Sequence, residues 1–557
     1  MLNKWIKTGN YVSVTDVVLK KSGLSLDEIM TPRPVDPADI AGLASAASLI
    51  NSAIIQHIPI VIVGDYDADG ITSTAILGKL LTVLGATHRL IIPRRFSNGY
   101  GLSEKIIADI HNSLLITVDN GIAAIDQIAA AKKQGNTVIV LDHHLPQGIL
   151  PPADIIVDPH VEPDKNAYVD YCGAGLAYKL SRYMLTEQNV PDKQRLLRDM
   201  CVLAFLGTIA DVVPMTGDNR CIIKAGLRII NDSTSREQLC CGVHALLNLA
   251  GDPPYSEETV KFQLAPIINA AGRLYDAGSS SVLKALLADN MKDALIYAGK
   301  MRDINESRKK LVAEWQLKVL PSCEKQKPNR IIVAMLPGIP EGIVGIIAGK
   351  IAEQFHRPAF LFSYDEKDPN TLKGSGRTYG NFDLSDMLPR ILPHCIKGGG
   401  HAGAAGITVS SDKLATITAI MNSYMISKGY VVDYSVYYDL EINEEDIPEI
   451  NNELKALAPF GEGVECPVFR VKHFTCKPNR FGEAYRIMGT NKDHLRLNGS
   501  SVSGVGFGMA KKYEELNRPM NVDIVGTINE NVWKGRVSLQ ISMSDFIPAS
   551  TKEVSKP

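Results

Sequence analysis

The sequence predicts a multidomain α/β protein: a parallel-sheet domain, a smaller α/β domain joined to it by a long helix, and an OB-like β-barrel. From Ile58 onward, apolar strand-like runs alternate with helical patterns, as in parallel sheets covered by helices. A second strand–helix–strand unit begins at Ile331, and after Gly429 short alternating segments are separated by Gly, Asn and Pro. A chain of 557 residues is also too long for one ordinary core, so several domains are expected.

These patterns define the order of the predicted elements. In the first domain, strands ending at Val63 and at 89–92, 114–118 and 137–141 alternate with helices at 71–84, 103–111 and 123–134. Apolar residues at helical spacing over 280–318, with many Lys and Arg, predict the long connecting helix. The predicted ranges are an N-terminal arm at 1–50, the first α/β domain at 51–278, the linker helix at 279–327, the second α/β domain at 328–430, the barrel at 431–549 and a polar tail at 550–557.

Composition narrows the class of protein. Hydrophobic residues make up 45%, charged residues 22%, and the net charge is −2, which argues against a uniformly basic surface. The nine cysteines include no C-x-x-C pair, so neither a disulfide framework nor a zinc site is expected. The start MLNKWIK lacks the apolar core of a secretory signal and no run is long enough to span a membrane, so we expect a cytoplasmic protein.

The most informative stretch is IPIVIVGDYDADG at residues 58–70. Its apolar run, closed by Gly64, predicts a buried parallel strand with Asp65, Asp67 and Asp69 emerging at its carboxyl end. Clustered carboxylates repel one another, so a fold that keeps them together places a cation among them. The alternative is an acidic turn that caps the following helix, for which one Asp would be enough.

Two further predicted strands end in polar residues. LLITVDNG places Asp119 at one strand end, and VIVLDHH places Asp142, His143 and His144 at another, so these side chains are expected in one cleft. Carboxylates with imidazole and no thiolate suit a pair of Mg²⁺ or Mn²⁺ ions, and two-metal sites of this kind favour phosphoryl transfer. Asp211 in LGTIADVVP could add a carboxylate from a helical segment, or could cap the start of a helix.

The motifs DYDADG, DNG, DHH and TIADVVP occur in the order found in the DHH phosphoesterase superfamily, and GGGHAGAAG at 398–406 is similar to its companion DHHA1 domain. Together with the terminal barrel, they make the chain resemble the RecJ family of 5′→3′ single-stranded-DNA exonucleases over roughly residues 45–549. The resemblance implies two ions, Mg²⁺ or Mn²⁺, held by Asp67, Asp69, Asp119, His143 and Asp211, with Asp65, Asp142 and His144 in supporting or phosphate-facing roles. Members of the superfamily often carry a His at the position of Val63, so the ligand set of one ion stays open and Asp65 is the alternative ligand.

The same resemblance implies a set of substrate contacts. They are Arg95 and Tyr100 in IPRRFSNGYGLS, Arg273 in INAAGRL, Ser375 and Arg377 in GSGR, and His401 in GGGHAGAAG. Each stretch also has a simpler interpretation: an exposed loop for Arg95, an interdomain salt bridge for Arg273, a flexible glycine loop for GSGR, and a tight turn feeding a helix for GGGHAGAAG.

The sequence therefore predicts a metal-dependent exonuclease that hydrolyses single-stranded DNA from its 5′ end to 5′-mononucleotides, in DNA repair and recombination. A helicase and a single-strand-binding protein are the expected protein partners. One alternative is a DHH phosphodiesterase of short oligoribonucleotides or cyclic dinucleotides, which would not need the terminal barrel. The other is a non-catalytic scaffold for single strands that has lost its metals, against which the intact acidic motifs argue.

Overall fold

The structure is a computed structural model and describes residues 3–97, 99, 101–146, 148–365, 368–489, 491–533 and 536–549. Its N-terminal segment contains one short strand and three helices. They are β1 (Trp5–Lys7), α1 (Val14–Ser22), α2 (Leu26–Met30) and α3 (Leu43–Ile55).

A five-stranded parallel sheet follows, in the order β3-β2-β4-β5-β6. Its elements are β2 (Ile60–Val63), α4 (Ala68–Val83), β3 (His88–Ile91), α5 (Glu104–Ile107), β4 (Leu114–Val118), α6 (Ile125–Lys133), β5 (Thr137–Leu141) and β6 (Ile155–Val157). The apolar residues of β2 and β4 are buried throughout, as expected for central strands covered on both faces. Helix α4 begins three residues before the predicted position because the Asp67 side chain caps it, accepting a hydrogen bond from the Gly70 amide.

A helical layer completes the first domain and leads into the second. Its helices are α7 (Gly173–Leu185), α8 (Lys193–Ala210), α9 (Gly217–Asn231), α10 (Ser233–Glu237), α11 (Cys241–Leu247), α12 (Glu257–Thr259), α13 (Ala265–Leu274), α14 (Gly278–Leu286) and α15 (Met291–Glu324). The prediction of one continuous helix over 280–318 is wrong. Two helices occupy this stretch, and the Asn290 side chain starts the second one by accepting a hydrogen bond from the Asp293 amide.

The second α/β unit is a five-stranded mixed sheet in the order β10-β11-β9-β8-β7. Its elements are β7 (Ile332–Met335), α16 (Glu341–Phe355), β8 (Ala359–Asp365), β9 (Asp368–Arg377), α17 (Leu388–Ile391), β10 (Lys397–Gly400), β11 (Ala404–Ser410) and α18 (Leu414–Ser427). Helix α16 covers one face of the sheet, and α17 and α18 contribute to the apolar cluster on the other face.

The C-terminal part is a seven-stranded sheet in the order β13-β14-β18-β19-β17-β16-β15. With the preceding short strand β12 (Val436–Tyr438), its elements are β13 (Leu440–Asn443), α19 (Ile447–Leu457), β14 (Phe469–Thr475), β15 (Tyr485–Met488), β16 (His494–Asn498), β17 (Ser503–Gly506), α20 (Ala510–Glu515), β18 (Asn521–Trp533) and β19 (Arg536–Pro548). Strands β18 and β19 form the long hairpin predicted near the end of the chain. The predicted fold class, with two α/β domains and a terminal β-domain, is confirmed.

The N-terminal segment divides between two cores. Strand β1 pairs in parallel with β12, and Val14, Val18 and Ile29 pack in the core of the C-terminal β-domain, whereas α3 packs in the core of the first domain. The buried Arg220 guanidinium of α9 joins these parts, donating hydrogen bonds to the carbonyl oxygens of Ile29, Leu457 and Pro459. The predicted arm is therefore built into the fold. None of the described helices is long and apolar enough to cross a membrane.

Candidate metal centre and substrate cleft

The acidic residues of the first domain converge at the carboxyl edge of its parallel sheet. Asp65 follows β2, Asp119 follows β4 and Asp142 follows β5, so the parallel strands bring all three to one edge. Asp211 reaches the same place from the end of α8. The alternative that Asp211 caps the start of a helix is wrong, because it stands at the carboxyl end, where the helix dipole disfavours a negative charge.

The potential ligand atoms form one continuous centre. They fall into three groups, in each of which all atoms lie within 4.8 Å of one another: Asp65, Asp67 and Asp119; Asp69, His143 and Asp211; and Asp119, Asp142, His143 and His144. Because Asp119 and His143 each belong to two groups, the three groups are joined. This arrangement has room for more than one ion.

His143 lies among the carboxylates. Its Nε2 atom is 3.0 Å from Asp119 Oδ1, 3.8 Å from Asp69 Oδ2 and 3.7 Å from Asp211 Oδ2. Burial lowers the pKa of His143, which favours the neutral imidazole, the form that binds metal ions.

The described residues do not supply enough positive charge to neutralise these carboxylates. Burial raises the pKa of Asp65, Asp67, Asp119 and Asp211, and repulsion from neighbouring carboxylates raises it further. In addition, Oδ1 of the buried Asp65 has no hydrogen-bond partner among the described residues. A donor set of carboxylate oxygens and imidazole, without thiolate, fits Mg²⁺ or Mn²⁺.

Asp142 has a different environment, because its oxygens are occupied by hydrogen bonds. Oδ2 accepts from the Ile122 amide at 2.9 Å, and Oδ1 accepts from the His143 amide at 2.8 Å and from His144 Nδ1 at 2.7 Å. Burial opposes ionisation, but the bond from His144 and its charge hold the pKa of Asp142 below its usual value. The same pair acts against burial to raise the pKa of His144 to about 9. Asp142 therefore orients the imidazole of His144 and holds the backbone of His143.

Two glycines, which the motif analysis did not single out, let the helices approach the centre. Asp69 accepts hydrogen bonds from the amides of Gly173 (2.6 Å) and Ala174 (2.9 Å) at the start of α7. A Cβ atom on Gly173 would lie 2.7 Å from Asp119 Cβ, and one on Gly207 would lie 2.7 Å from Asp69 Oδ1. The sequence signals of these contacts are the run GAG at the start of a helical pattern and the glycine of LGTIADVVP.

Asp158 and His160 were also missed. Asp158 follows β6 and is 3% exposed. Its Oδ1 atom lies 3.5 Å from His160 Nδ1. A fourth acidic strand end at the same sheet edge was visible in the sequence as DPH after the apolar run IIV.

Arg95 and Arg273 lie beside this centre. The Arg95 guanidinium stacks 4.9 Å above the Tyr66 ring, and Arg273 Nη1 approaches the Gly342 carbonyl oxygen at 3.4 Å across the two α/β units. Burial and the charge of Arg95 lower the pKa of Arg273 to about 10, with Asp67 acting in the opposite direction. Arg273 thus contacts the second unit through a backbone carbonyl, and the salt bridge considered from the sequence is not formed among the described residues.

The GSGR stretch is the end of strand β9, not a flexible loop. Cβ atoms on Gly374 and Gly376 would collide with the rings of Phe362 and Phe360, at 2.3 Å in each case. The alternating residues Ser375 and Arg377 face α16, and Arg377 Nη1 donates to Ser375 Oγ at 3.2 Å. Burial, together with the charge of Arg95, lowers the pKa of Arg377.

GGGHAGAAG forms the β10–β11 hairpin, so the expectation of a turn feeding directly into a helix is wrong. Strand β11 of this hairpin also pairs with β9, with Ala404 opposite Arg377. The exposed His401 lies at the turn of the hairpin, and its backbone amide donates a hydrogen bond to the Ala404 carbonyl oxygen. His401 therefore lies one strand away from Arg377. Tyr100 lies outside the described residues.

Family models match three parts of the chain: the DHH family, N-terminal domain, at residues 59–208; the DHHA1 domain at 329–427; and the RecJ OB domain at 438–545. The fold and the acidic centre thus place the chain in the DHH class.

Curated relatives and solved structures extend over most of the chain. The single-stranded-DNA-specific exonuclease RecJ of Escherichia coli is 30% identical, over 91% of this chain and 91% of its own length. The RecJ of Bacillus subtilis is 34% identical over 92% of this chain, which spans 64% of that relative. The RecJ–Mn²⁺ structure from Thermus thermophilus has a TM-score of 0.79 at 27% identity, covering 98% of this chain and 80% of that one; the RecJ–Mg²⁺ structure has 0.73 at 26%, covering 98% and 78%. The chain belongs to the RecJ family.

Proposed function

We propose that this chain is a metal-dependent exonuclease that degrades single-stranded DNA from the 5′ end to 5′-mononucleotides. The observation that carries the proposal is the continuous carboxylate–histidine centre, which faces arginines from both α/β units. Its RecJ relatives are single-stranded-DNA-specific exonucleases, and RecJ structures contain Mn²⁺ or Mg²⁺.

In this proposal the ion ligands are Asp67, Asp69, Asp119, His143 and Asp211, with Asp65 as a further ligand. Val63 cannot supply a ligand, because its side chain has no donor atom, and it packs in the apolar cluster below the sheet edge. Asp65 instead lies with Asp67 and Asp119 in one ligand group. Two such ions, when bound, would make water acidic enough to ionise near neutral pH and would offset charge on the phosphoryl oxygens.

The chain's own cations would bind and orient the DNA strand. Arg95, Arg273 and Arg377 can grip phosphate oxygens, and a guanidinium can do so with two parallel hydrogen bonds. Asp142 accepts a hydrogen bond from His144 and helps to raise its pKa to about 9, and His144 could donate a hydrogen bond to a phosphoryl oxygen. Ser375, His401 and Tyr100 complete the proposed substrate contacts.

The proposal is tested with purified protein and DNA labelled at either end, single-stranded or blunt duplex, in Mn²⁺, Mg²⁺ or chelator. We expect 5′-mononucleotides from single strands with either ion, little digestion of blunt duplex, and no product in chelator. Products released from the 3′ end, or equal digestion of duplex, would contradict it. Preference for dinucleotides or cyclic dinucleotides over long strands would favour the small-substrate alternative.

The proposed setting follows from the proposed substrate. A free single-stranded 5′ end in a chromosome requires strand separation, so a helicase and a single-strand-binding protein are the partners we propose, in DNA repair and recombination. Such partners would place the protein in the cytoplasm. Pull-down with a purified helicase or single-strand-binding protein would test each pairing separately.

A further inference from the structure

The strand ends that carry the motifs of the metal centre are tied to neighbouring strands. After β2, the Gly64 amide donates a hydrogen bond to the Ile91 carbonyl oxygen of β3 at 3.0 Å. After β4, the Asp119 amide donates to the Leu141 carbonyl oxygen of β5, also at 3.0 Å. Between β2 and β4, whose paired register ends at Val63, a side chain makes the corresponding contact.

That side chain belongs to Asn120, the residue after Asp119. Asn120 is 2% exposed, and its Nδ2 atom donates to the carbonyl oxygen of Val63 at 3.1 Å and to that of Val118 at 2.9 Å. Val63 is the last residue of β2 and Val118 the last residue of β4. One buried amide group therefore bridges the carboxyl ends of the two central strands.

The residues beyond these strand ends are proposed ion ligands. Asp65 lies two residues after Val63, and Asp119 directly follows Val118. The ligand atoms of Asp65, Asp67 and Asp119 lie within 4.8 Å of one another. Because these carboxylates repel one another, a bond between the two strand ends opposes their separation.

The same amide supports the strained backbone of Asp119. The bond from Asn120 to Val118 spans Asp119, whose φ of +59° is a left-handed conformation that persists only where its surroundings hold it. The other atom of the amide, Oδ1, is buried without a hydrogen-bond partner among the described residues. An unpaired buried oxygen destabilises the fold, so the contribution of this side chain lies in its NH₂ donors.

We infer that Asn120 is a positioning residue, whose amide holds β2 and β4 at the spacing at which Asp65, Asp67 and Asp119 bind an ion. This inference rests on the proposed function. Groups that orient metal ligands without touching the ion typically change metal affinity by about 10–100-fold when they are removed. Asn120 therefore sets the affinity for the ion and the turnover number, while DNA binding depends on other residues.

The test titrates the full-length protein with Mn²⁺ in the absence of DNA and measures the free ion by electron paramagnetic resonance. Asn120→Ala should raise the Kd for Mn²⁺ by about 10–100-fold, because both bonds are lost. Asn120→Ser keeps a hydroxyl that can donate one bond, so its Kd should lie between those of Asn120→Ala and the wild type. In both variants kcat on single strands should fall, while binding of a fluorescent oligothymidylate in chelator should match the wild type.

Asn136→Ala is the matched control. Asn136 is 4% exposed and lies at the opposite edge of the same sheet, where its Nδ2 atom donates to the carbonyl oxygens of Ile110 (2.7 Å) and Ala131 (3.0 Å). This variant also loses two bonds from a buried amide, so its unfolding midpoint in chelator should fall while its Kd for Mn²⁺ stays that of the wild type. Equal rises in Kd for Asn136→Ala and Asn120→Ala would mean that a general loss of sheet stability is responsible and would overturn the inference.

The remaining outcomes separate the positioning role from folding and from the proposed function. Unchanged Mn²⁺ affinity in Asn120→Ala and Asn120→Ser would overturn the inference, even if their unfolding midpoints fall. If Asn120→Ala does not fold, Asn120→Ser decides the matter against the wild type and Asn136→Ala. If the wild type degrades single strands while the Asn120 variants bind Mn²⁺ normally, the proposed function stands and only the positioning role fails. If the wild type binds no Mn²⁺, the proposed function itself fails.

Discussion

Two residues next to or within the metal centre have unusual backbone conformations. Asp119 has φ +59°, and Val212, which directly follows Asp211, has φ +61°. Left-handed conformations cost about 1–3 kcal/mol for residues other than glycine and persist where the surrounding structure requires them. For Asp119, the turn that follows β4 places the carboxylate beside His143. Placement of this carboxylate thus accounts for the strain at Asp119.

Loss of a proposed ligand should abolish activity without unfolding the protein. For Asp67→Ala, Asp119→Ala and His143→Ala we expect kcat on single-stranded DNA to fall at least about a thousandfold, because each variant removes an ion contact. In chelator, the two Asp variants should unfold at the same or a higher temperature, because one repelling carboxylate is gone. Asp109→Asn, an exposed carboxylate at the amino edge of the sheet, is the control. Near-normal turnover in any two of the three variants would contradict the ligand assignment.

The raised pKa values of the acidic cluster predict how stability depends on pH. Asp65 and Asp119 have folded-state pKa values above those of the unfolded chain, so the folded apoprotein holds protons that the unfolded chain has lost. The stability that they contribute is present at low pH and is lost as pH rises through the folded-state values. Ions compete with these protons, so stabilisation by Mn²⁺ should grow with pH.

Thermal unfolding in chelator and in Mn²⁺, from about pH 5.5 to about pH 8.5, measures both effects. The gap between the two midpoints should widen toward alkaline pH in the wild type and should widen less in Asp119→Asn. A gap that is constant with pH in the wild type would contradict the linkage between protons and ions.

At the scale of elements, Asp276 helps to hold the loop between β3 and α5 in place. Asp276, just beyond α13, accepts hydrogen bonds from the amides of Phe96 (2.9 Å) and Ser97 (3.2 Å) and from the Ser97 hydroxyl (2.6 Å). This loop carries Arg95, which stacks on Tyr66 beside the metal centre. Asp276 therefore positions a proposed phosphate ligand without contacting substrate itself.

Release of this loop should affect substrate binding more than chemistry. For Asp276→Ala we expect KM for 5′-phosphorylated single strands to rise about tenfold, because the arginine is no longer held, while kcat changes much less. Asp276→Asn keeps a carbonyl oxygen that can accept from both amides, so it should recover most of the loss. The shift of the unfolding midpoint caused by Mn²⁺ should equal that of the wild type in both variants. A fall in kcat with KM unchanged would exclude a positioning role.

At the scale of the whole molecule, the N-terminal segment and the C-terminal β-domain are one unit of packing. Val14, Val18 and Ile29 of the N-terminal segment pack in the core of the β-domain. Arg220 of the first domain donates hydrogen bonds to backbone carbonyl oxygens of both parts. Removal of the β-domain alone would expose the apolar surface of the first helices. Removal of both the N-terminal segment and the β-domain would take away the two packing partners together.

Truncation tests this packing. A protein of residues 1–430 should aggregate or unfold at lower temperature than one of residues 34–430, which should stay soluble and keep metal-dependent hydrolysis of short oligonucleotides. The shorter protein should bind long single strands more weakly, because it lacks basic and aromatic surface such as Phe507, which is 72% exposed. Equal solubility of the two proteins would contradict the packing role of the N-terminal segment, and an unchanged KM for long strands would show that the β-domain is structural.

The sequence by itself determined which strands end in the motifs of the metal centre and the identity of most candidate ligands. An apolar run that ends in Asp65, Asp119 or Asp142 specifies both a buried parallel strand and the edge at which its acidic residue emerges, because both follow from local composition and from the geometry of parallel sheets. The strands around these residues were placed within a residue or two, and the fold class followed from the same alternation.

Only the tertiary structure decided the contacts between segments that are distant in the chain. Gly173 and Gly207 are needed because two helices approach Asp69 and Asp119, and Asp211 joins the centre from the end of α8. Likewise, β1 pairs with a strand more than 400 residues later. Periodicity and residue type describe the neighbours of a residue along the chain, whereas these contacts arise from how the packed elements meet.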